Sequence, residues 1–599
     1  MAMDMPEEEK KIQDELRLAI LLADRVINSA QVAESSKLEC RELAMLAERL
    51  RQMLGSAVQL AESTQPLYER PIRRIVADVT KNLERALTLA RRCRRGCVLR
   101  LVFAITTAAD FRKASNFLES SIADLNWVYS VFDSEEGGTL LSLPPIAQND
   151  PILSWVWSYI ASLQMGHLRN RTDAANELAS LAGDNDRNKT LIVEEGGIVP
   201  LLRLLKEGIS ADAQIAASAA LCKLCTDRHR ARLIAKELAV PMIVKVLGDS
   251  PMRVQVWVSN LVSRMAEMDS DVQEELGREN VIRLLVTLLS VDTDLNDDPK
   301  LQSGNTGLHS LVQINKELVK NTFNQSHHSN FSSSSSFLSV NHKKDKRNVE
   351  APELKLKLKI SCSEALWKLS KGSLLNSRKI TEAKGLLCLA KIIEQEKGDL
   401  QINCLMTVME LTAVAEFNAD LRRVAFKPNS PAAKAVLDQL LRVINEETSP
   451  RLLLPTVKSI GCLARTFPAK ETRIVLHLVA QLSHRNAEVA TEAAIALGKF
   501  VLPDNFNCVE HSKVIVEFDG VPRLMNLLRT SDRRRVHELV LLCYLAFHCG
   551  NSKVFEQERT LKFLEEKARS PLAQHPEMKQ LFFKAMDRLT LYENGRTHA

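Results

Sequence analysis

Residues 195–208 read EGGIVPLLRLLKEG, and this stretch decides the fold. The two glycines, a proline at the first helical position (Pro200) and the LLRLL run predict a turn followed by a short buried helix. Residues 212–227 then place isoleucine, alanine and leucine at spacings of one, three and four, which predicts a second, longer helix with a small-residue face. Neither helix can bury its apolar side alone, so the pair predicts a unit that packs against copies of itself.

This pair of helices recurs along the chain. With Pro200 as the marker, equivalent positions fall at Pro241 and Arg283, steps of 41 and 42 residues. After an interruption the marker positions are Cys388, Leu437, Val475 and Pro522. A period of about 40 residues is typical of armadillo or HEAT units, whose stacking forms an α-solenoid with one long concave surface.

The repeat does not cover the whole chain. Residues 1–135 lack it and carry about four amphipathic helical patterns, which predict a helical bundle. The fold class is therefore all-α, with an N-terminal helical bundle followed by an armadillo-type α-solenoid. The predicted limits are 1–135 for the bundle, 136–150 for a linker, 151–290 for the first block of repeats, 291–352 for a disordered serine-rich and basic insertion, and 353–592 for the second block with a C-terminal cap.

Composition narrows the function classes. Hydrophobic residues make up 45% of the 599 residues and aromatic residues only 5%, which suits helices that pack through aliphatic side chains. A net charge of +6 over this length does not favour nucleic acid as a partner. No run of 18 apolar residues predicts a membrane span, and the acidic start MDMPEEEK argues against a signal peptide.

Cysteines give no sign of a metal or redox centre. Most of the twelve lie inside apolar helical patterns, as expected of reduced thiols in a cytosolic protein. Cys222 and Cys225 form a C-x-x-C pair, but no second pair stands at zinc-ligand spacing. We therefore expect no metal and no cofactor.

Basic residues cluster at the end of the third helical pattern of the bundle, as Arg91, Arg92, Arg94 and Arg95. One interpretation is that these cations stabilise a helix C-terminus and face the acidic first half of the bundle. The other is a patch that binds an anionic membrane surface, where each basic residue contributes about 1 kcal/mol. The sequence leaves both open.

Three stretches carry a resemblance to a known family. They are LYERPIRRI at 67–75, SLPPIAQNDPIL at 142–153 and GDNDRNKTLIVEEGGIVPLLRLLKEG at 183–208. Together they resemble the plant armadillo-repeat-only family, in which a helical N-terminal domain precedes armadillo repeats whose third helix lines a groove. The resemblance implies a plant scaffold linked to Rho-of-plants GTPase signalling in polarised cell growth.

Cargo-binding armadillo proteins carry a tryptophan and, four residues later, an asparagine on each groove helix. Here the tryptophan places hold Asn176, Ala219, Asn260, Trp367, Met406, Lys458, Ile495 and Val540. The asparagine places hold Ser180, Lys223, Arg264, Lys371, Glu410, Cys462, Lys499 and Tyr544. Only Trp367 keeps the pattern, which disfavours nuclear cargo binding of the importin-alpha kind. The basic residues Lys223, Arg264, Lys371 and Lys499 predict a groove for an extended acidic segment, unless neighbouring acids such as Glu410 neutralise them.

No catalytic motif accompanies these features. The phosphate-binding, zinc-protease and serine-hydrolase signatures are all missing from the sequence. We therefore expect a non-enzymatic scaffold, in the cytoplasm or at the cell periphery, whose partners are proteins such as regulators of Rho-type GTPases. The alternative is a membrane-associating effector that acts through the bundle, and a third hypothesis is a nuclear transport adaptor.

Overall fold

The computed structural model describes residues 11–62, 68–93, 108–132, 144–147, 150–237, 239–291, 351–427, 429–468, 470–529, 535–569 and 575–597. Every regular element in these ranges is helical, and none is a strand. The all-α expectation is confirmed. Contacts group the chain into two compact units, a first unit of residues 1–275 and a second unit of residues 276–599. Residues 292–350 of the predicted insertion lie outside the described residues, while Pro352, its last predicted residue, begins a helix.

The first unit begins with four helices. They are α1 (Ile12–Gln31), α2 (Lys37–Glu62), α3 (Glu69–Arg92) and α4 (Ala108–Phe132). Helix α1 packs on α2 and α3, and α4 packs on the same two helices, so the four form a bundle. Each helix turns one apolar stripe inward; in α3, Ile72, Ile75, Val79 and Leu83 are all nearly inaccessible to solvent. The hydrophobic effect along these stripes holds the bundle together.

Repeat helices follow within the first unit. They are α5 (Pro151–Met165), α6 (Leu168–Asp184), α7 (Asp186–Glu194), α8 (Ile198–Glu207), α9 (Ala211–Leu224), α10 (Arg228–Lys236), α11 (Ala239–Asp249), α12 (Met252–Met268) and α13 (Ser270–Arg278), whose last residues enter the second unit. A short 3-10 helix (Pro145–Ala147) precedes α5. From α7 onward the order is two shorter helices and then a long one, which is the three-helix armadillo unit.

The second unit continues the series. Its helices are α14 (Val281–Leu289), α15 (Pro352–Ser370), α16 (Leu374–Glu382), α17 (Gly385–Gln395), α18 (Asp399–Phe417), α19 (Ala419–Ala425), α20 (Pro431–Glu446), α21 (Pro450–Cys462), a 3-10 helix (Ala464–Thr466), α22 (Thr472–Gln481), α23 (Ala487–Val501), α24 (Cys508–Glu517), α25 (Gly520–Arg529), α26 (Val536–Cys549), α27 (Lys553–Gln557), α28 (Thr560–Ala568) and α29 (Pro576–Thr597). The sequence markers from Pro200 to Pro522 all fall in the second helix of a three-helix unit.

The turn between the first and second helices has the same backbone shape in several repeats. A residue with positive φ occupies it in five of them: Gly196, Asn280, Lys384, Asp519 and Arg559. The next position is glycine in three of these turns, and a Cβ on Gly197 would approach the Ile192 side chain to 2.7 Å. In the double glycine of the opening stretch, Gly196 adopts the left-handed backbone conformation, and Gly197 allows the start of α8 to pack closely against Ile192 of α7. Helix α8 begins at Ile198 and not at Pro200, which the first turn tolerates because its N–H groups have no helical partner.

The third helices form the continuous core of each unit. In the first unit α6 packs on α9 and α9 on α12; in the second, α15, α18, α21, α23, α26 and α29 pack in succession. Buried glutamines tie third helices to second helices: Gln214, Gln255 and Gln401 each donate to a carbonyl at the end of the preceding helix, at 3.1, 2.7 and 3.1 Å. These bonds satisfy carbonyls that a helix C-terminus leaves unpaired.

One of these core helices is more apolar than the sequence reading anticipated. Among the described residues, α18 alone has the length and composition of a membrane span, with 19 residues and few charged side chains. Within its apolar window, 61% of the residues are buried. Because α18 lies between α15 and α21, its apolar character is explained by burial on both sides.

The bundle and the first repeats meet at the opening stretch of the sequence. The Tyr68 hydroxyl donates to the Glu195 carbonyl at 2.8 Å, and the Trp157 indole N–H donates to the Glu195 carboxylate at 2.9 Å. The Arg74 guanidinium lies 3.1 Å from the same carboxylate and 5.4 Å from the centre of the Trp157 ring. Side chains from α3 and α5 therefore converge on one turn of the array.

A second contact joins the bundle to the start of the array. The Asp124 carboxylate of α4 accepts the Ile146 N–H at 2.9 Å, and Trp127 lies 5.9 Å from Trp157 between ring centres. Burial raises the pKa of Asp124 to about 6, although the Ile146 hydrogen bond acts in the opposite direction. Residues 136–143, 148 and 149 of the predicted linker lie outside the described residues, and the domain limits stay predictions.

Candidate functional site: a cleft across the third helices

Three successive third helices of the second unit share one cleft. Its volume is about 660 Å³, and its walls come from α15, α18 and α21, with Glu492 from α23. The tryptophan places of the first three helices, Trp367, Met406 and Lys458, all line it. Equivalent positions of successive repeats therefore stand side by side, which is the arrangement that an extended peptide can follow.

The floor of the cleft is apolar. Its nonpolar lining includes Ile360, Trp367, Ile402, Met406, Leu454 and Pro455. Pro455 stands inside α21 and cannot donate the usual helical hydrogen bond to the Arg451 carbonyl. Met406 and Trp367 are partly exposed, so an incoming side chain can contact both. Such a lining favours an aliphatic or aromatic anchor residue in the bound segment.

The rim of the cleft carries both charges. Three acids, Glu364, Asp399 and Glu492, line it together with Arg451 and Lys458. Arg451 and Asp399 approach to 3.8 Å, and both side chains are about 70% exposed. Such an exposed pair holds its geometry weakly, so a ligand charge can displace it.

Trp367 lies on the lining of this cleft. The Lys368 ammonium lies 3.9 Å from the centre of its ring, which is a cation–π contact. Lys371 follows one turn later, at an exposed position. Burial raises the pKa of Glu410, while the nearby Lys458 and Lys371 ammonium groups lower it, and the net shift is upward. Lys371 therefore stands beside an acid of the next repeat.

Lys499 is engaged in an ion pair. Its ammonium lies 2.6 Å from the Glu416 carboxylate and 3.4 Å from the Cys462 sulfur. Burial alone would lower the pKa of Lys499, but its partners reverse the shift and raise it. Burial raises the pKa of the Cys462 thiol to about 12, so it stays protonated at neutral pH. Part of the predicted cationic character is thus neutralised within the protein, which is the alternative that the sequence left open.

The other two predicted cations lie in the first unit. Lys223, in the last turn of α9, is exposed. Arg264 of α12 is partly exposed and lies 3.2 Å from Glu267 in the same helix. Exposed pairs of this kind contribute little to stability and compete weakly with a partner's carboxylate.

The candidate membrane patch is described only in part. Arg91 and Arg92 are exposed in the last turn of α3, where they complement the partial negative charge of the helix C-terminus. Arg94 and Arg95 lie outside the described residues. The Cys93 carbonyl accepts the Glu34 N–H at 3.0 Å, which fixes the end of α3 to the turn after α1.

Sequence reasoning missed the acids of the cleft. Glu364 and Glu492 stand one helical turn before the tryptophan places Trp367 and Ile495, and Asp399 stands two turns before Met406. A comparison of the positions three and seven residues before each tryptophan place would have found them, because residues at these spacings share a helix face.

The described residues hold no group of three or more histidine, cysteine, aspartate or glutamate side chains able to bind a metal ion. The described cysteines other than Cys222 and Cys508 are buried. Desolvation raises the pKa of the Cys225, Cys388 and Cys543 thiols to about 12. These thiols are apolar packing groups at neutral pH.

Comparison with known proteins gives one family match and one curated relative. Residues 13–133 match a family described as "Domain of unknown function (DUF7792)". Synchronized import protein 1 of Saccharomyces cerevisiae is 33% identical over 122 residues. That alignment covers 20% of this chain and 20% of the yeast protein, so the chain spans one fifth of its curated relative.

Solved structures give distant similarities. An engineered protein has 17% identity and a TM-score of 0.46, covering 73% of this chain and 99% of its own. A designed armadillo repeat protein in complex with the peptide (KR)4 has 14% identity and a TM-score of 0.34, covering 57% of this chain and 98% of its own. The assignment of armadillo-type repeats therefore rests on the order and packing of the helices of this chain.

Proposed function

We propose that this protein is a non-enzymatic scaffold that binds extended segments of other proteins across its third helices. The observation that supports this most is the 660 Å³ cleft, which joins a partly exposed tryptophan to acidic and basic rim groups from successive repeats. A segment lying across α15, α18 and α21 would bury an apolar anchor against Trp367 and Met406. Its backbone and flanking charges would meet Asn403, Arg451 and the rim acids.

The charged side chains on the third helices of each unit indicate the charge of the segment that the unit would bind. In the first unit, the exposed Lys223 and the weakly paired Arg264 support the expected acidic segment. In the second unit, Glu416 pairs with Lys499, and the cleft rim carries three acids against the two cations Arg451 and Lys458, which supports a segment with basic residues around an apolar anchor. We propose one acidic and one basic-apolar class of ligand for the two regions.

A selection from a phage-displayed library of linear peptides on the full-length protein tests this. Trp367→Ala removes the aromatic wall and should weaken the selected basic-apolar peptides about tenfold or more. Reversal of Lys223 and Arg264 of the first unit to Glu should abolish binding of acidic peptides. A matched reversal of Lys236 and Lys245, which are exposed in the same unit and lie outside the third helices, is the control.

Circular dichroism should show full helicity in every variant. Failure to select any peptide would contradict the proposal. Basic-apolar peptides that bind the Trp367→Ala variant as tightly as the original protein, or acidic peptides that bind the charge-reversal variant as tightly, would also contradict it.

We further propose that the ligands are regulators of Rho-type GTPases in polarised plant cell growth, and that the protein acts in the cytoplasm or at the cell periphery. The support is the family resemblance of residues 67–75, 142–153 and 183–208. Purified candidate regulators should compete with the selected peptides for the full-length protein. Regulators that leave peptide binding unchanged would contradict this assignment.

A second candidate function is membrane association through the bundle. The exposed Arg91 and Arg92 support it, since juxtaposed basic residues attract anionic lipid. Arg91→Glu with Arg92→Glu in the full-length protein should then reduce sedimentation with phosphatidylserine vesicles. Unchanged sedimentation would remove this candidate.

A further inference from the structure

Two phenylalanines of the second unit stand almost fully in solvent. Phe417 is 89% exposed at the end of α18, and Phe506 is 100% exposed in the turn after α23. Single exposed apolar residues are common on protein surfaces and by themselves indicate nothing. These two differ because the residues on both sides of each ring are tied down by hydrogen bonds.

Phe506 projects from a turn that is bonded to the preceding repeat. The buried Asn505 side chain donates to the Ala464 carbonyl at 3.2 Å, and the Asn507 side chain donates to the Phe467 carbonyl at 3.4 Å. The Asn505 carboxamide oxygen also accepts the Asn507 N–H at 3.0 Å. With both neighbours held, the Phe506 ring is presented outward by an ordered backbone and not by a frayed loop.

Phe417 is presented in a similar way. On one side, the Glu416 carboxylate pairs with Lys499 at 2.6 Å. On the other, the Asn418 side chain caps α19 by accepting the Leu421 N–H at 2.8 Å. The Arg422 guanidinium donates to the Glu416 carbonyl at 2.9 Å, which closes the turn around Phe417. The residues on both sides of the Phe417 ring are therefore held in place.

Charged side chains link the two corners that carry these rings. Arg465 lies in the repeat between them, and its guanidinium is 2.9 Å from the Asp504 carboxylate, two residues before Phe506. On the other side, the pKa of Arg422 is lowered by burial and then by the neighbouring Arg465 cation. We call Phe417, Arg422, Arg465, Asp504 and Phe506 the phenylalanine edge.

The corners that form this edge are net basic. Residues 417–427, 463–471 and 502–507 together carry five cations against three acids. The cations are Arg422, Arg423, Lys427, Arg465 and Lys470, and the acids are Asp420, Glu471 and Asp504. Asp420 pairs with Arg423 at 2.7 Å and Asp504 with Arg465, which leaves Arg422, Lys427 and Lys470 against Glu471. An anionic partner surface therefore meets an excess of positive charge.

Protruding rings also restrict the kind of partner. A protein partner would need two apolar pockets at matched spacing to receive Phe417 and Phe506. The interface of a lipid bilayer accepts apolar side chains such as phenylalanine at any lateral position, and anionic headgroups attract flanking arginine and lysine. Rings held in position beforehand lose little conformational freedom on insertion.

We propose that the phenylalanine edge docks the repeat array on an anionic membrane surface, with Phe417 and Phe506 inserted among the lipid headgroups and the edge cations facing the phosphates. This site is separate from the peptide cleft and from Arg91 and Arg92 of the bundle. It makes the second unit itself a peripheral membrane module.

Vesicle sedimentation of the full-length protein tests the proposal. Phosphatidylcholine vesicles containing about 30% phosphatidylserine are compared with pure phosphatidylcholine vesicles. Phe417→Ser with Phe506→Ser should lower partitioning onto the anionic vesicles about tenfold, because two inserted rings are lost. Phe583→Ser is the matched control, since Phe583 is 68% exposed in α29 of the same unit and lies outside the edge. The control should bind like the original protein.

An independent measurement uses Phe506→Trp. Brominated lipid should quench the fluorescence that this substitution adds, relative to the original protein, when the variant binds. Equal binding by the double serine variant, equal binding to vesicles without phosphatidylserine, or unquenched added fluorescence in the bound Phe506→Trp variant would each overturn the proposal. Loss of binding only in the Arg91→Glu, Arg92→Glu variant would also overturn it, in favour of the bundle.

Discussion

At the scale of single residues, Glu195 connects the bundle to the array. Its carboxylate is almost fully buried, accepts the Trp157 indole N–H and pairs with Arg74, while its carbonyl accepts the Tyr68 hydroxyl. Burial and the nearby Glu195 charge raise the pKa of Tyr68 well above its ordinary value, so its hydroxyl remains a donor. One residue of the repeat signature thus fixes the position of α3.

Glu195→Ala should destabilise the first unit by about 2 kcal/mol. The substitution leaves the Trp157 N–H without its acceptor and Arg74 without its partner, although Arg74 is half exposed and retains water. Glu195→Gln keeps an acceptor and should cost less. Thermal unfolding followed by circular dichroism measures both, against Asp212→Ala, whose pair with Arg253 is exposed. An Ala variant no less stable than the Asp212 control would show that this contact does not hold the junction.

At the scale of elements, the close approach of the third helices α21 and α23 depends on small residues. A Cβ on Gly461 of α21 would lie 2.8 Å from the Cα of Ala496 in α23, closer than side chains approach backbone. Gly498, also in α23, has no neighbour within 4 Å of the corresponding position. Close packing therefore requires a glycine at position 461, but it does not require one at position 498, although both glycines lie inside long helices.

Gly461→Ala should destabilise the second unit by about 2 kcal/mol, because the new methyl group forces α21 and α23 apart. Gly498→Ala should stabilise it by about 0.5 to 1 kcal/mol, because alanine loses less backbone entropy in a helix and meets no clash. Urea unfolding of the two variants gives both values. Similar shifts for the two variants would mean that helix propensity outweighs interhelical packing at Gly461.

At the scale of the whole molecule, the bundle and the first repeats belong to one compact unit. Contacts from Tyr68, Arg74 and Asp124 reach residues of the array or of the segment just before it. The sequence-based division into a bundle, a linker and an array is silent about these contacts. They imply that the bundle depends on the repeats for part of its stability.

A fragment of residues 1–291 should therefore unfold at a higher temperature than a fragment of residues 1–135. Arg74→Ala should lower the unfolding midpoint of the longer fragment by several degrees, about 2 to 4 °C for each kcal/mol lost. The same substitution should leave the shorter fragment unchanged, because its partners Glu195 and Trp157 are missing there. Calorimetry of the four proteins checks this, and an equal shift in both fragments would refute the dependence.

The sequence by itself determined the helices, their order and the period of the repeat. Leucine and alanine spacing in stretches such as 195–208 depends only on local geometry, and the same marker positions recur in the second helix of each unit.

Only the tertiary structure decided which charges are available and which surfaces are joined. The sequence predicts Lys499 as a cation of the groove, but the Glu416 carboxylate, 83 residues earlier in the chain, neutralises its charge. The sequence predicts Glu195 as part of a turn, but Tyr68 and Arg74 of the predicted bundle bind it. Ion pairs and docked faces depend on distances between residues far apart in the chain, and no local spacing encodes those distances.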